Sequence, residues 1–129
     1  MAGTTTHPTA FRTTVADLTT STLSTTAKLK FRTTGTANAP GTAVATLPMS
    51  NPVGAGAAAG VVTYSAITSD TNAAGGVIAT ATAETGAGTI VWHCTVGTSG
   101  DAINVTSGGL TVTAGDTVSC SALTYTAMP

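Results

Sequence analysis

Gly88-Thr-Ile-Val-Trp-His-Cys-Thr-Val-Gly97 is an apolar stretch with glycine at both ends, and it contains the single Trp and one of the two Cys of the chain. Side chains along a strand alternate between its two faces. This alternation predicts a core face made of Ile90, Trp92, Cys94 and Val96, and an opposite face made of Val91, His93 and Thr95. The stretch therefore predicts a β-strand around which the core is built.

The composition favours strands and a single domain. About a quarter of the 129 residues are Thr, and charged residues make up 7%, against roughly 25% in an average soluble domain. β-branched Thr fits a pleated, half-exposed surface better than a helix. The formal net charge of -1 excludes the strongly basic field that nucleic-acid binding uses. A surface with so little charge predicts a homo-oligomer packed against neighbours, with a stand-alone low-charge β domain as the alternative.

Short alternating stretches separated by turn residues continue along most of the chain. Besides 88–97 they cover 28–33, 42–49, 61–67, 77–83, 103–105, 110–112 and 117–127, and 84–88 is a tight connection. Val118 and Cys120 lie at even positions and Leu123 and Tyr125 at odd positions, which predicts a bulge near Ser121, the alternative being a strand that packs on both faces. Such strands, spaced about 8 to 15 residues apart, predict a mainly all-β fold, an antiparallel β-sandwich, jelly roll or partly closed barrel. This domain spans 28–129.

The first 27 residues predict an arm and a short helix. Residues 1–6 have no periodic pattern. Pro8 suits a first helical turn with Thr6 as its cap, and Phe11, Val15 and Leu18 recur at the spacing of one helix face. An extended arm is the alternative. The start lacks the basic and hydrophobic segments of a secretory signal, and no apolar run approaches the roughly 20 residues of a membrane helix, so synthesis in a cytoplasm and no membrane partner are expected.

The basic residues lie in the first quarter of the chain. In 28–33, Leu29 and Phe31 alternate with three cations, which predicts that the cations face solvent or a partner. Together with the arm they form the candidate partner-contact set, the alternative being a solvated strand face. The set consists of Thr4, Thr5, Thr6, His7, Phe11, Arg12, Lys28, Lys30 and Arg32.

No catalytic or metal site is expected from the residue types. Cys94 and Cys120 both have core-facing parity, so they are a candidate core or disulfide pair, and reduced buried thiols are favoured for a protein made in a cytoplasm. His93 adjoins Cys94, but neighbours on a strand point to opposite faces, so His93 is not placed to activate that thiol. The acidic residues are scattered among turns and no Cys/His cluster has zinc spacing. The sequence predicts no enzyme activity, cofactor or metal.

An ordered series of short segments carries a family resemblance from about Leu29 to the C-terminus. The segments are 45–47 (Ala-Thr-Leu), 50–52 (Ser-Asn-Pro), 66–71 (Ala-Ile-Thr-Ser-Asp-Thr), 96–101 (Val-Gly-Thr-Ser-Gly-Asp), 113–119 (Thr-Ala-Gly-Asp-Thr-Val-Ser) and 123–129 (Leu-Thr-Tyr-Thr-Ala-Met-Pro). In this order they resemble a family of small Ala/Thr/Gly-rich structural virion proteins of tailed bacteriophages.

The resemblance implies a non-enzymatic component of the virion. It implies a capsid decoration or cement protein, made in the bacterial host cytoplasm, whose partners are the major capsid protein or other virion proteins. A collar, neck, tail or fibre-associated β module with an adhesion role is the alternative. Sparse aromatic residues argue against a sugar-binding platform.

Overall fold

The computed structural model describes residues 5–127, which form one helix and nine strands. The helix is α1 (Thr9–Leu23). The strands are β1 (Lys28–Arg32), β2 (Ala43–Pro48), β3 (Val61–Thr63), β4 (Gly76–Val77), β5 (Thr80–Glu84), β6 (Ile90–Gly97), β7 (Ile103–Asn104), β8 (Thr111–Val112) and β9 (Thr124–Thr126).

Five of the strands form one curled mixed sheet in the order β2-β1-β5-β6-β7. The pairs are antiparallel except for β6 and β7, which run parallel. Two small antiparallel pairs, β3-β9 and β4-β8, complete the strands. A bridge between Met49 and Ile67 joins the end of β2 to the segment after β3. The predicted β-rich class with an N-terminal helix is confirmed.

The alternation predicted for the first strand is confirmed in β1. Leu29 and Phe31 are buried in the core, and Lys28, Lys30 and Arg32 lie on the opposite face of the sheet. β5 occupies the centre of the sheet and all five of its residues are buried. The predicted strand at 77–83 is therefore two strands, of which the second is the central one.

The predicted helix is present, and the face that it turns to the core is marked by Ala16 and Leu23 and not by the predicted spacing of Phe11, Val15 and Leu18. Phe11 is 49% exposed and Leu18 is 62% exposed, whereas Ala16 and Leu23 are fully buried. α1 packs on β3 and β6, and the methyl group of Ala16 lets the helix approach closely where a larger side chain would hold it away. The prediction that Thr6 caps the helix is wrong, because Pro8 occupies the N-cap position and no side chain caps the helix.

Two connections differ from their predictions. Glu84 is the last residue of β5 and is 2% exposed, so it does not lie in a turn. The strand predicted at 117–127 is interrupted, because Val118 bridges to Asp70 while Tyr125 pairs with Val62 in another sheet. Residues 119–123 cross from one partner to the other as an irregular segment, which replaces the bulge predicted at Ser121.

Candidate functional site

A charged cluster lies on the sheet face opposite the core. Lys30 Nζ is 3.1 Å from Glu84 Oε1, and Arg32 Nη2 is 2.5 Å from Glu84 Oε2. Thr82 Oγ1 donates a hydrogen bond to the same Oε2 at 2.7 Å and accepts one from Arg32 Nε at 3.0 Å. Arg32 Nη1 also donates to the carbonyl oxygen of Gly41 at 2.7 Å. Each donor of this cluster is thus directed at an acceptor within the same chain.

The environment of Glu84 favours the ionised carboxylate. Burial by itself would raise the pKa of Glu84, but hydrogen bonds from Arg32, Thr82 and Lys30 outweigh it and lower the pKa below its ordinary value. An ion pair this shielded holds two strands together and offers no free carboxylate to a substrate. Lys30 and Arg32, predicted to face solvent or a partner, have this intramolecular role.

The remaining charges are also mostly bound to the chain itself. Arg12 Nη2 donates to the carbonyl of Ala127 at 3.1 Å. Asp17 accepts the N–H of Ala57 at 2.7 Å, Asp70 accepts the N–H of Thr46 at 2.8 Å, and Asp116 accepts the N–H of Thr113 at 2.9 Å. Seven of the nine charged side chains are engaged in this way, namely Arg12, Asp17, Lys30, Arg32, Asp70, Glu84 and Asp116. The outer surface is left largely to hydroxyl and methyl groups.

The N-terminal candidates lie at an exposed end of the helix. Thr5 and Thr6 are exposed, and the ring of His7 lies 5.0 Å from the ring of Phe11. Thr4 lies outside the described residues. Phe11, Val15 and Leu18 form an apolar line along α1, which we call the helix stripe; Phe11 and Leu18 are exposed, whereas Val15 is half-buried and packs against the core. The spacing in the sequence predicts that these three side chains share one face of the helix, and Phe11 is also in the candidate partner-contact set.

A slot separates β6 from β9. It is open to solvent and has a volume of about 220 Å³. Its lining consists of Trp92, His93 and Cys94 of β6, Ala102 and Ile103 at the start of β7, and Leu123–Thr126. Trp92 Nε1 donates to Tyr64 Oη at 3.0 Å, which fixes the indole beside the slot. Burial raises the pKa of Tyr64 although the hydrogen bonds from Trp92 and Thr19 act to lower it. No parity argument in the sequence predicts this gap, because it depends on how two distant strands meet.

The two cysteines are free thiols in separate clefts. Cys94 lines the slot. Cys120 lines an open cleft of about 520 Å³, most of whose lining residues lie between 103 and 122 in the sequence. Burial raises the pKa of Cys94 to about 11 and also raises that of Cys120. Both thiols are therefore protonated near neutral pH and are poor nucleophiles.

His93 lies opposite Thr82 across the β5-β6 pair, while Cys94 lies opposite Ala81, so the two adjacent side chains occupy opposite faces as predicted. The shielded Nε2 of His93 has no hydrogen-bond partner among residues 5–127. Within the same range, no three His, Cys, Asp or Glu side chains come together as a metal site, and no helix is long and apolar enough to cross a membrane.

Comparison with protein-family models, with curated proteins and with solved structures finds no match.

Proposed function

We propose that this chain is a non-enzymatic structural protein of a tailed-bacteriophage virion, a capsid decoration or cement protein that binds the assembled head. The family resemblance of the segments between Leu29 and the C-terminus supports the class. We further propose that the fold is an antiparallel sandwich or jelly roll, in which the pairs β3-β9 and β4-β8 belong to a second layer beside the five-stranded sheet. Its partners are the major capsid protein, other virion proteins and further copies of itself.

The observation that carries the proposal is that most charged side chains bind other groups of the same chain. Soluble domains ordinarily keep apart through exposed charges of both signs, but seven of the nine charged side chains here bind within the chain. The exposed Thr and Ser side chains lose little rotamer entropy when a neighbour covers them. Such a surface suits dense packing in a shell better than free diffusion.

Binding of this kind stabilises a particle by mass action. A protein that binds the assembled shell and not its separated subunits shifts the equilibrium toward the shell. The helix stripe provides a contact for this purpose, because Phe11 and Leu18 expose apolar side chains that a neighbouring virion subunit would remove from water. His7 adjoins the same contact, because its ring lies 5.0 Å from the ring of Phe11.

The experiment compares stripped and reloaded particles. Heads freed of this protein are expected to lose heat and osmotic resistance, and to regain it when the wild-type protein is added back. A Phe11→Ser/Leu18→Ser variant should fail to restore it. Thr14→Ala/Ser21→Ala is the matched control, because these exposed polar residues have the same seven-residue spacing and lie beside Phe11 and Leu18 on α1, so the control changes the neighbouring surface without removing apolar side chains.

Two results would contradict the proposal in different ways. Stripped heads as robust as loaded ones would exclude a cementing role. Imaging that places a small set of copies at the neck or tail, instead of many over the head, would select the collar or adhesion module.

A further inference from the structure

Two uncharged features of this chain complement each other in size and chemistry. One is the ring of Phe11 in the first turn of α1, which is 49% exposed. The other is the slot between β6 and β9, which is open to solvent. Phe11 does not line the slot of its own chain. An exposed apolar side chain and an apolar slot on one molecule can join two copies through a contact between different patches.

The lining of the slot suits an uncharged aromatic ring. The rings of Trp92, His93 and Tyr125 border the slot, and all three residues are half-buried. The hydrogen bond from Trp92 to Tyr64 holds the indole in place, and aromatic rings pack favourably against one another in tilted or offset arrangements. Among the described residues, the lining contains no Lys, Arg, Asp or Glu. A charged side chain would therefore lose its hydration there without gaining a counter-charge.

The volume of the slot matches one aromatic side chain. A cavity of about 150 Å³ accommodates benzene, so the slot of about 220 Å³ has room for a phenyl ring together with its methylene group. A whole helical turn, roughly 10 Å across and 5.4 Å long, fills about 400 Å³ and does not fit. A helix that carries such a ring would thus stay outside the slot while the side chain enters.

We infer that the Phe11 ring of one copy of this chain inserts into the slot between β6 and β9 of a second copy. Leu18 is the other exposed residue of the helix stripe, but it lies in the third turn of α1 and has no ring to pack against Trp92 and Tyr125. The inference rests on the self-association within the proposed function, and it names the contact.

Phe11 is held outside its own chain before it binds. Arg12, the next residue, donates from Nη2 to the carbonyl of Ala127 at 3.1 Å, which anchors the first turn of α1 to the end of β9. The ring of His7 lies 5.0 Å from the ring of Phe11 and packs beside it. A side chain that is ordered before binding loses less rotamer entropy when it is inserted.

The first test compares two substitutions in the helix stripe of the full chain. Phe11→Ser should weaken self-association in sedimentation velocity by about thirtyfold, as is typical of a central aromatic anchor. Leu18→Ser is the matched control and should weaken it by about threefold or less, as at the edge of a contact. Leu18 is 62% exposed, so unspecific apolar contact would depend on it at least as strongly as on Phe11. Equal losses for the two variants would overturn the inference.

The second test separates the two halves of the contact. Ala102 lies at the exposed rim of the slot, and Ala102→Phe should fill the slot and abolish association while the urea unfolding midpoint shows that the fold persists. Phe11→Ser keeps the slot and Ala102→Phe keeps the ring of Phe11. An equimolar mixture of the two variants should therefore form a heterodimer, although neither variant associates alone.

A mixture that stays monomeric would overturn the inference, because each variant supplies the half that the other lacks. If Ala102→Phe does not fold, Thr124→Phe takes its place in the mixture. Thr124 is also exposed and lines the slot from β9.

A small probe tests the slot without a second copy. N-acetyl-phenylalaninamide should shift the emission of Trp92, the single Trp of the chain, when it is added to the Phe11→Ser variant. N-acetyl-serinamide at the same concentration is the control and should not. The Ala102→Phe variant should lose the response, because its slot is filled. No response in Phe11→Ser, or an equal response in Ala102→Phe, would overturn the inference.

Binding to phage heads distinguishes this inference from the proposed function. If the protein binds heads while the mixed variants stay monomeric, the inference alone is rejected. If the mixed variants associate while the protein fails to bind heads, the proposed function alone is rejected.

Discussion

Burial of the Glu84 carboxylate costs solvation free energy, yet its hydrogen bonds and ion pairs stabilise the sheet. Its carboxylate is 2% exposed at the end of the central strand, where burial disfavours charge. Two cations and a hydroxyl surround it, and their hydrogen bonds lower its pKa in spite of that burial. The cluster joins β1 to β5, since Arg32 lies 52 residues before Glu84 in the sequence.

We expect Glu84→Gln to lower the free energy of unfolding near pH 7. Hydrogen bonds to charged groups contribute about 1.5 to 3 kcal/mol, and the partly shielded Lys30 and Arg32 would lose their counter-charge. A lowered pKa means that the carboxylate stabilises the fold above its ordinary pKa and loses this effect as the pH falls through the lowered value. Urea unfolding from pH 7 down to pH 2 should therefore show the wild type converging on the variant.

Asp17→Asn is the control for that measurement. The exposed Asp17 accepts one backbone N–H from Ala57, and an amide oxygen can accept it as well, so the change should stay within about 0.5 kcal/mol. A constant difference between wild type and Glu84→Gln at every pH would show that shape, and not charge, is responsible.

At the scale of elements, the central strand depends on small side chains. Ala83 lies between Leu29 on β1 and Trp92 on β6, and Ala81 lies between Phe31 and Cys94, all on the core face of the sheet. Both alanines are fully buried. Alternating small and large side chains in this way fills the core face of the sheet, where a uniform row of large residues would not fit.

Ala83→Val separates strand propensity from packing. Propensity alone favours Val in a strand, but the added methyl groups must fit between Leu29 and Trp92, so we expect a loss of about 1 to 3 kcal/mol. Thr63→Val, at the exposed end of β3, introduces the same side chain without crowding and should be nearly neutral. Urea unfolding followed by circular dichroism checks both, and an Ala83→Val variant as stable as the wild type would show that the sheet centre is loosely packed.

The elements that sequence predicts well are those fixed by local pattern. β1 and β6 follow from alternation over a few residues, and α1 follows from spacing after Pro8. The face of α1 is different, because Phe11–Leu18 and Ala16–Leu23 both fit a helical period and the surface beneath decides between them. Long-range pairing also decides the burial of Glu84, the break at 119–123 and the slot, so no local pattern reveals them.

At the scale of the molecule, most charged side chains bind groups within the chain, and the outer surface is left mainly to uncharged groups. The chain carries four basic and five acidic residues, and the structure uses most of them to hold strands, loops and the helix in place. Lys28 and Asp101 are the two whose charged groups make no hydrogen bond or ion pair within residues 5–127. The self-association that we propose would therefore use mainly apolar side chains, hydroxyls and backbone groups.

This division predicts that self-association of the purified protein depends little on sodium chloride. Raising the salt from about 0.02 M to about 0.5 M shortens the screening length from roughly 20 Å to about 4 Å, which would weaken a charge-driven interface severalfold or more. Here the association constant from sedimentation equilibrium should change less than about threefold, because exposed pairs contribute about 0 to 1 kcal/mol. Sodium sulfate should strengthen association, since it favours burial of apolar surface. A steep fall with sodium chloride that Lys28→Gln abolishes would instead show that the few free charges hold the copies together.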